Sequence, residues 1–164
     1  MKILALDLGT KTGWAVNQPP NSGVQNFALG RGESPGMRYL KFGAWLRKML
    51  ASTRPDLVVH EQAHHRGGAA TEVAAGFVTH LQSIVAELGY NLSNVHTATI
   101  KRHATGKGNA NKEAMVEAFK KRFGYEPLDD NEADACWLLD YAGQEFGGED
   151  DNGSAFVGSR TGLG

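Results

Sequence analysis

Residues 2–9 read KILALDLG, and this short stretch decides the fold of the chain. Its apolar run is typical of a buried strand, and the run ends in the carboxylate of Asp7. An acidic side chain at the end of a buried strand is costly unless a positive charge pairs with it. We therefore expect Asp7 to join other carboxylates around a hard divalent cation. Oxygen ligands favour Mg²⁺ or Mn²⁺ over Zn²⁺ at such a site.

Two further acidic segments extend this hypothesis. DLVVHE (56–61) is a second apolar run, which ends in Glu61, and DDNEADACWLLDYA (129–142) has a helical pattern that begins with Asp130 and Asp134 one turn apart. Asp130 has an alternative role as a helix-capping residue, because acidic side chains are favoured at helix N-termini. The apolar and small neighbours of Asp134 favour a functional role for it.

Composition narrows the class of protein. The chain has 164 residues, of which 41% are hydrophobic, and this fits one packed domain. The net charge of -1 points to no polyanionic partner, but residues 101–122 contain seven Lys or Arg against two acidic residues. Cys136 is the single cysteine and is expected in the core of a protein from a reducing compartment. With neither a signal-peptide pattern nor a long apolar run, we expect a soluble cytoplasmic protein.

The hydrophobic pattern predicts an α/β domain with a mixed sheet over residues 1–146, followed by a flexible Gly- and Asp-rich tail at 147–164. The predicted strands lie at about 2–7, 13–16, 24–29, 57–61 and 94–99, and the predicted helices at about 36–53, 71–88, 111–123 and 131–146. Ligands bind beyond the carboxyl ends of parallel strands. If the first and fourth strands are parallel neighbours, Asp7 and Glu61 lie close together.

Four blocks of the sequence together resemble the RuvC-type Holliday junction resolvases of the RNase H-like superfamily, especially the shorter phage versions. The blocks are LALDLGTKTGWAV (4–16), VVHEQ (58–62), TIKRHATGKGNANK (99–112) and DDNEADACWLL (129–139). The resemblance implies an RNase H-like mixed five-stranded sheet flanked by helices. It also implies a crossover junction endodeoxyribonuclease that cuts four-way DNA junctions by paired symmetric nicks, acts as a homodimer and works in a bacterial or phage-infected cell.

The same resemblance implies roles for individual residues. Asp7, Glu61 and Asp134 match the family's metal ligands, which hold Mg²⁺ or Mn²⁺, with two ions in each site. Lys101 and Lys112 match basic residues that stabilise charge on the phosphate being cut. The family often has Asp or His three residues before the last ligand, where this chain has Asn131. Either Asp130 takes that place or Asn131 ligates through its side-chain carbonyl.

Several basic residues are candidate DNA contacts. Some bacterial relatives have an aromatic wedge just after the Glu-Gln pair, and this chain has His64, His65 and Arg66 there, a segment that is either a junction contact or an ordinary surface loop. Arg102 and Lys107 lie in the basic block, where nearby glycines permit close approach of the backbone to phosphates.

Other functions remain open at this level. A broader branched-DNA nuclease, a YqgF-like RNA nuclease and a non-catalytic module that binds branched DNA are all compatible with the fold. DLGTKTG (7–13) also resembles the first phosphate loop of actin-type and sugar-kinase ATPases. Those proteins need a second equivalent domain, for which 164 residues leave no room.

Overall fold

The computed structural model describes residues 1–62 and 67–147. The predicted segment His64–Arg66 and the predicted tail after Gly147 lie outside these residues. Five strands and five helices follow one another along the chain: β1 (Ile3–Asp7), β2 (Lys11–Asn17), β3 (Pro20–Asn26), α1 (Met37–Thr53), β4 (Leu57–Gln62), α2 (Ala69–Leu88), β5 (Asn91–His96), α3 (Thr97–Thr105), α4 (Lys112–Phe123) and α5 (Asp130–Phe146).

The strands form one mixed sheet in the order β3-β2-β1-β4-β5. β1 pairs with β2 in antiparallel fashion and with β4 in parallel, and β4 is also parallel to β5. The predicted mixed five-stranded α/β architecture is therefore confirmed. Because Leu6 is in register with His60, the carboxyl ends of β1 and β4 present Asp7 and Glu61 side by side, as predicted.

Two hydrophobic clusters cover the two faces of the sheet. One lies under α1 and α2 and includes Leu4, Leu6 and Phe77. The other includes Ile3 and Ala5 with side chains of α3, α4 and α5. The alternation of residues 3–6 between the two clusters follows from the two-residue period of a strand, and it makes β1 a central strand that is buried on both faces. Within the described ranges, none of the helices has the length and apolar character needed to span a membrane.

Two local predictions were wrong. The predicted strand at 94–99 is displaced, because β5 spans Asn91–His96 and α3 begins at Thr97. α3 was missed because its threonines have a low helix propensity and Ile100 is its one buried residue. Strand β3 covers 20–26 rather than 24–29, because it follows β2 after a two-residue turn with a cis Gln18–Pro19 bond. Pro20 can begin this strand because β3 lies at an edge of the sheet.

α5 packs directly onto the centre of the sheet at Gly13. A Cβ atom added to Gly13 would lie 1.9 Å from the backbone oxygen of Asn131, so the first turn of α5 fits only against a glycine. Glu132, which has no solvent exposure, accepts a hydrogen bond of 2.7 Å from the Ser22 hydroxyl on β3. These contacts fix the start of α5 over β2 and β3, and they place Asp134 near the end of β1.

Candidate metal centre

Three carboxylates from three separate elements meet at one end of the sheet. Asp7 ends β1, Glu61 lies near the end of β4, and Asp134 lies in the second turn of α5. One oxygen from each lies within 4.8 Å of an oxygen of each of the other two, and all three residues are partly buried. Among the described residues this is the one His, Cys, Asp or Glu group with such geometry. Three oxygen donors at this spacing fit a hard divalent cation.

The electrostatics of the cluster reflect its crowding. Burial and the neighbouring charges of Glu61 and Asp134 hold the pKa of Asp7 well above its usual range. Burial, followed by the charge of Glu61, raises the pKa of Asp134 to about 7, although Lys101 and Lys112 act in the opposite direction. Carboxylates with raised pKa values have poor charge compensation from the rest of the chain. A bound cation would supply that compensation.

The Glu61 carboxylate has an additional partner that sequence reasoning missed. The Thr97 hydroxyl donates a hydrogen bond of 2.5 Å to Glu61 Oε1, and it also lies 3.3 Å from the backbone oxygen of Gln62. Thr97 is the first residue of α3, the helix absent from the prediction. The sequence signal for this contact is a threonine immediately after β5, the strand that runs parallel to β4. That signal can be used only when the end of β5 is placed correctly at His96.

The two predicted lysines lie on the same side of the cluster. A cavity of about 170 Å³ is lined by Glu61, Thr97, Lys101, Lys112, Asp130 and Asp134, among others. Lys112 begins α4, whose N-cap Asn111 accepts a hydrogen bond from the Ala114 backbone N–H. Lys101 lies in the middle of α3 and is partly buried. Carboxylates and lysines therefore face one small cavity.

Asp130 and Asn131, the two predicted candidates for an additional ligand, each have a partner within the chain. Asp130 forms an ion pair of 2.6 Å with Lys112, and this hydrogen bond lowers the pKa of Asp130. The Asn131 amide donates a hydrogen bond of 3.2 Å to Asp129. Asp129, rather than Asp130, caps α5 by accepting a hydrogen bond from the Glu132 backbone N–H. A ligand role for Asp130 or Asn131 stays a prediction.

The remaining basic candidates, Arg102 and Lys107, are not among the residues that line this cavity. Arg102 is exposed in the last turn of α3, and its guanidinium lies near Gly108 in the following loop. Lys107 is exposed in the same loop, where its backbone N–H donates to the Thr105 hydroxyl. Both side chains are exposed and belong to the basic segment 101–122. Their contact with DNA stays a prediction.

Comparisons with known proteins show what this fold is similar to. No family model and no curated protein matches the sequence. Among solved structures, RuvC of T. thermophilus in complex with a Holliday junction substrate superposes with a TM-score of 0.70 at 19% identity, covering 84% of this chain and 90% of that chain. A second structure of Thermus thermophilus RuvC has a TM-score of 0.69 at 17% identity, with 90% and 97% covered.

Two further structures, with lower TM-scores, are also Holliday junction resolvases. The yeast mitochondrial Holliday junction resolvase Ydc2 has a TM-score of 0.56 at 13% identity over 83% of this chain and 75% of that chain. The Fowlpox virus resolvase in complex with Holliday junction DNA has a TM-score of 0.55 at 12% identity over 88% and 98%. The structural neighbours are thus RuvC and other Holliday junction resolvases, and the predicted RNase H-like fold is confirmed. Phage origin stays a prediction.

Proposed function

We propose that this chain is a metal-dependent, structure-selective DNA endonuclease that resolves four-way junctions by paired symmetric nicks. The observation that carries the proposal is the convergence of Asp7, Glu61 and Asp134, with ligand oxygens within 4.8 Å of one another, at the end of two parallel strands. The fold supports it, since junction resolvases are the structural neighbours. The partly buried setting of this cluster favours a site of chemistry over a chance grouping of surface acids.

The carboxylates of Asp7, Glu61 and Asp134 would hold the metal. Two divalent ions, Mg²⁺ or Mn²⁺, supply activation of water and stabilisation of the leaving 3'-oxygen when they are bound. The chain contributes the fixed geometry: β1 and β4 present two ligands in register, and α5 adds the third from above the sheet. Deprotonation of Asp7 and Asp134, whose pKa values are raised, must accompany metal binding.

Lys101 and Lys112 would bind the phosphate that is cut. Both line the cavity that contains Glu61 and Asp134, so a phosphate there would lie between the lysines and the carboxylate cluster. The Lys112 side chain is 80% exposed and can exchange Asp130 for a phosphate oxygen at little cost, because exposed ion pairs are weak. The N-terminal backbone N–H groups of α4 favour an anion at the same place.

A longer basic surface would hold the arms of a branched DNA. Arg102 and Lys107 extend the positive charge from the cavity along α3 and the loop after it. His64, His65 and Arg66 follow the Glu61 strand in sequence, and we assign them to the junction centre. A homodimer fits a substrate with two-fold symmetry, because it would place one site on each of two equivalent strands. Light scattering of the purified protein, alone and with junction DNA, tests the dimer.

The test of function is cleavage of a labelled, immobile four-way junction in Mg²⁺ or Mn²⁺, with wild-type protein and the Asp7→Asn variant. Duplex, flap and three-way DNA serve as controls, together with a structured RNA. Symmetric paired nicks restricted to the four-way junction and absent in Asp7→Asn would support the proposal. Equal cleavage of all branched DNAs would replace it with a broader branched-DNA nuclease, and preferential RNA cleavage with a YqgF-like activity. Tight junction binding without cleavage in either metal would indicate a non-catalytic binding module.

A further inference from the structure

We propose that Thr97 is a positioning residue for the metal site, because its hydroxyl holds one oxygen of the Glu61 carboxylate and leaves the other oxygen for the metal. The inference rests on the proposed metal centre of Asp7, Glu61 and Asp134. It assigns Thr97 a role in metal affinity that is separate from any contact with DNA.

The sheet brings the hydroxyl to its acceptor. β5 runs parallel to β4, with Val95 in register with Glu61 and His96 in register with Gln62. Thr97 follows immediately and begins α3, so its side chain is at the same height as the end of β4. The resulting hydrogen bond from Thr97 Oγ1 to Glu61 Oε1 is 2.5 Å, at the short end of the range for O–H···O hydrogen bonds.

The bond restricts a side chain that otherwise has rotational freedom. Glu61 lies on a strand end and is only partly buried, so backbone packing alone leaves its carboxylate free to rotate. A hydrogen bond to one oxygen fixes the carboxylate plane and makes the other oxygen the preferred ligand. Partners of this kind, which orient a ligand without touching the metal, typically contribute roughly 10–100-fold to metal affinity or activity.

A second acceptor allows the carboxylate to adjust. The Thr97 hydroxyl lies 3.3 Å from the Gln62 backbone oxygen, and a hydroxyl carries one proton that it can donate to either acceptor. If Glu61 turns toward the metal with both oxygens, the hydroxyl still has a partner and is not left unsatisfied. Thr97 can therefore support both one-oxygen and two-oxygen ligation by Glu61.

Isothermal titration calorimetry with Mn²⁺, in the absence of DNA, tests the inference. Thr97→Val keeps the shape of the side chain and removes its O–H donor, whereas Thr97→Ser keeps the donor. We expect Thr97→Val to raise the apparent Mn²⁺ dissociation constant roughly tenfold or more. Thr97→Ser should retain most of the wild-type affinity. Thr99→Val is the matched control for the effect of valine on α3, and thermal unfolding in EDTA shows that each variant is folded.

The outcomes separate this inference from the proposed function. Mn²⁺ binding by Thr97→Val with wild-type affinity would overturn the role of Thr97 and leave the metal centre intact. Equal losses in Thr97→Val and Thr99→Val would also overturn it, because the effect would then belong to the helix. Wild-type protein that binds no more Mn²⁺ than Asp7→Asn would overturn both the metal centre and this inference.

Discussion

Helix α5 carries two acidic side chains in opposite surroundings. Asp134, near the start of the helix, faces Glu61 and Asp7, and its pKa is raised to about 7 by burial and by the charge of Glu61. Asp140 is 9% exposed and accepts hydrogen bonds of 2.8 Å from His103 Nε2 and 3.1 Å from Arg122 Nη2. Both carboxylates are held by the same helix, so the difference lies in what the rest of the chain provides for them.

This difference separates a structural acid from a candidate ligand. Asp140 joins α5 to α3 through His103 and to α4 through Arg122, so its charge is compensated within the fold. Asp134 has like charges for neighbours, and the nearby lysines do not restore its ordinary pKa. Burial of an acidic residue is therefore weak evidence for function. Burial together with other acids, without adequate compensation from the chain, is stronger evidence.

The largest expected effect is on cleavage. Asp134→Asn should lower four-way-junction cleavage in Mg²⁺ more than about a hundredfold, since loss of a ligand exceeds the 10–100-fold cost of losing a residue that only orients one. Asp140→Asn should retain cleavage within about tenfold of wild type at a temperature where it is folded, because Asp140 does not line the cavity. Initial rates under single-turnover conditions measure both. Comparable losses in the two variants would contradict the distinction between Asp134 and Asp140.

The second effect is on stability, and here the larger loss is expected at Asp140. Asp140→Ala removes the acceptor shared by His103 and Arg122, and it should lower the free energy of unfolding by about 2–3 kcal/mol. This corresponds to a fall in Tm of about 4–12 °C for a chain of this size. Differential scanning calorimetry measures it. An unchanged Tm would show that the hydrogen bonds of Asp140 to His103 and Arg122 do not stabilise the packing of the three helices.

The third effect depends on pH and metal. The folded-state pKa values of Asp7 and Asp134 lie above those of the unfolded chain, so the folded protein retains protons that the unfolded chain has lost. Stability from these groups is present below about pH 4 and is lost as pH rises from there through about 7. Metal-free protein should therefore lose stability across this range, and added Mg²⁺ should restore it above pH 7.

The Asp134→Asn variant isolates this effect from other titrating groups. The pKa of His60 is lowered by burial, and that group acts in the opposite direction in both proteins. At pH 8 in EDTA, Asp134→Asn should unfold at a temperature about 2–8 °C above wild type, because it relieves about 1–2 kcal/mol of repulsion in a partly exposed cluster. A lower Tm for Asp134→Asn at pH 8 would mean that the carboxylate is compensated within the fold.

The smallest expected effect is at Asp130. Its ion pair with Lys112 involves a lysine side chain that is 80% exposed, so Asp130→Asn should change the free energy of unfolding by less than about 1 kcal/mol. Its effect on Mn²⁺ affinity discriminates the two roles predicted for Asp130. A change below about threefold fits a residue that pairs with Lys112, whereas a loss above about tenfold would make Asp130 a fourth ligand.

Much of the site could be predicted because it follows from strand periodicity. Asp7 and Glu61 each end an apolar run, and two parallel strands with such ends necessarily bring their last residues together. The functional role of Asp134 was predicted because its charged side chain stands among apolar neighbours in the sequence. For these three residues, the position predicted from the sequence pattern agrees with the position in the fold.

The contacts that complete the site depend on tertiary structure and could not be predicted. Thr97 meets Glu61 only because β5 ends at His96, three residues before the predicted end of that strand. Gly13 looked like an ordinary strand residue, and the close approach of Asn131 explains why glycine is needed there. Glu132 and Ser22 are far apart in the sequence, and nothing in either segment indicates their hydrogen bond.

The contribution of the last helix to the metal centre has a consequence during protein synthesis. Asp7 and Glu61 leave the ribosome early, but the third carboxylate arrives with α5, which also covers β1 and β2 on one face of the sheet. A nascent chain that has not yet released α5 therefore has neither a closed core nor a complete set of ligands. The proposed metal site is therefore complete only when nearly all of the described fold has been made.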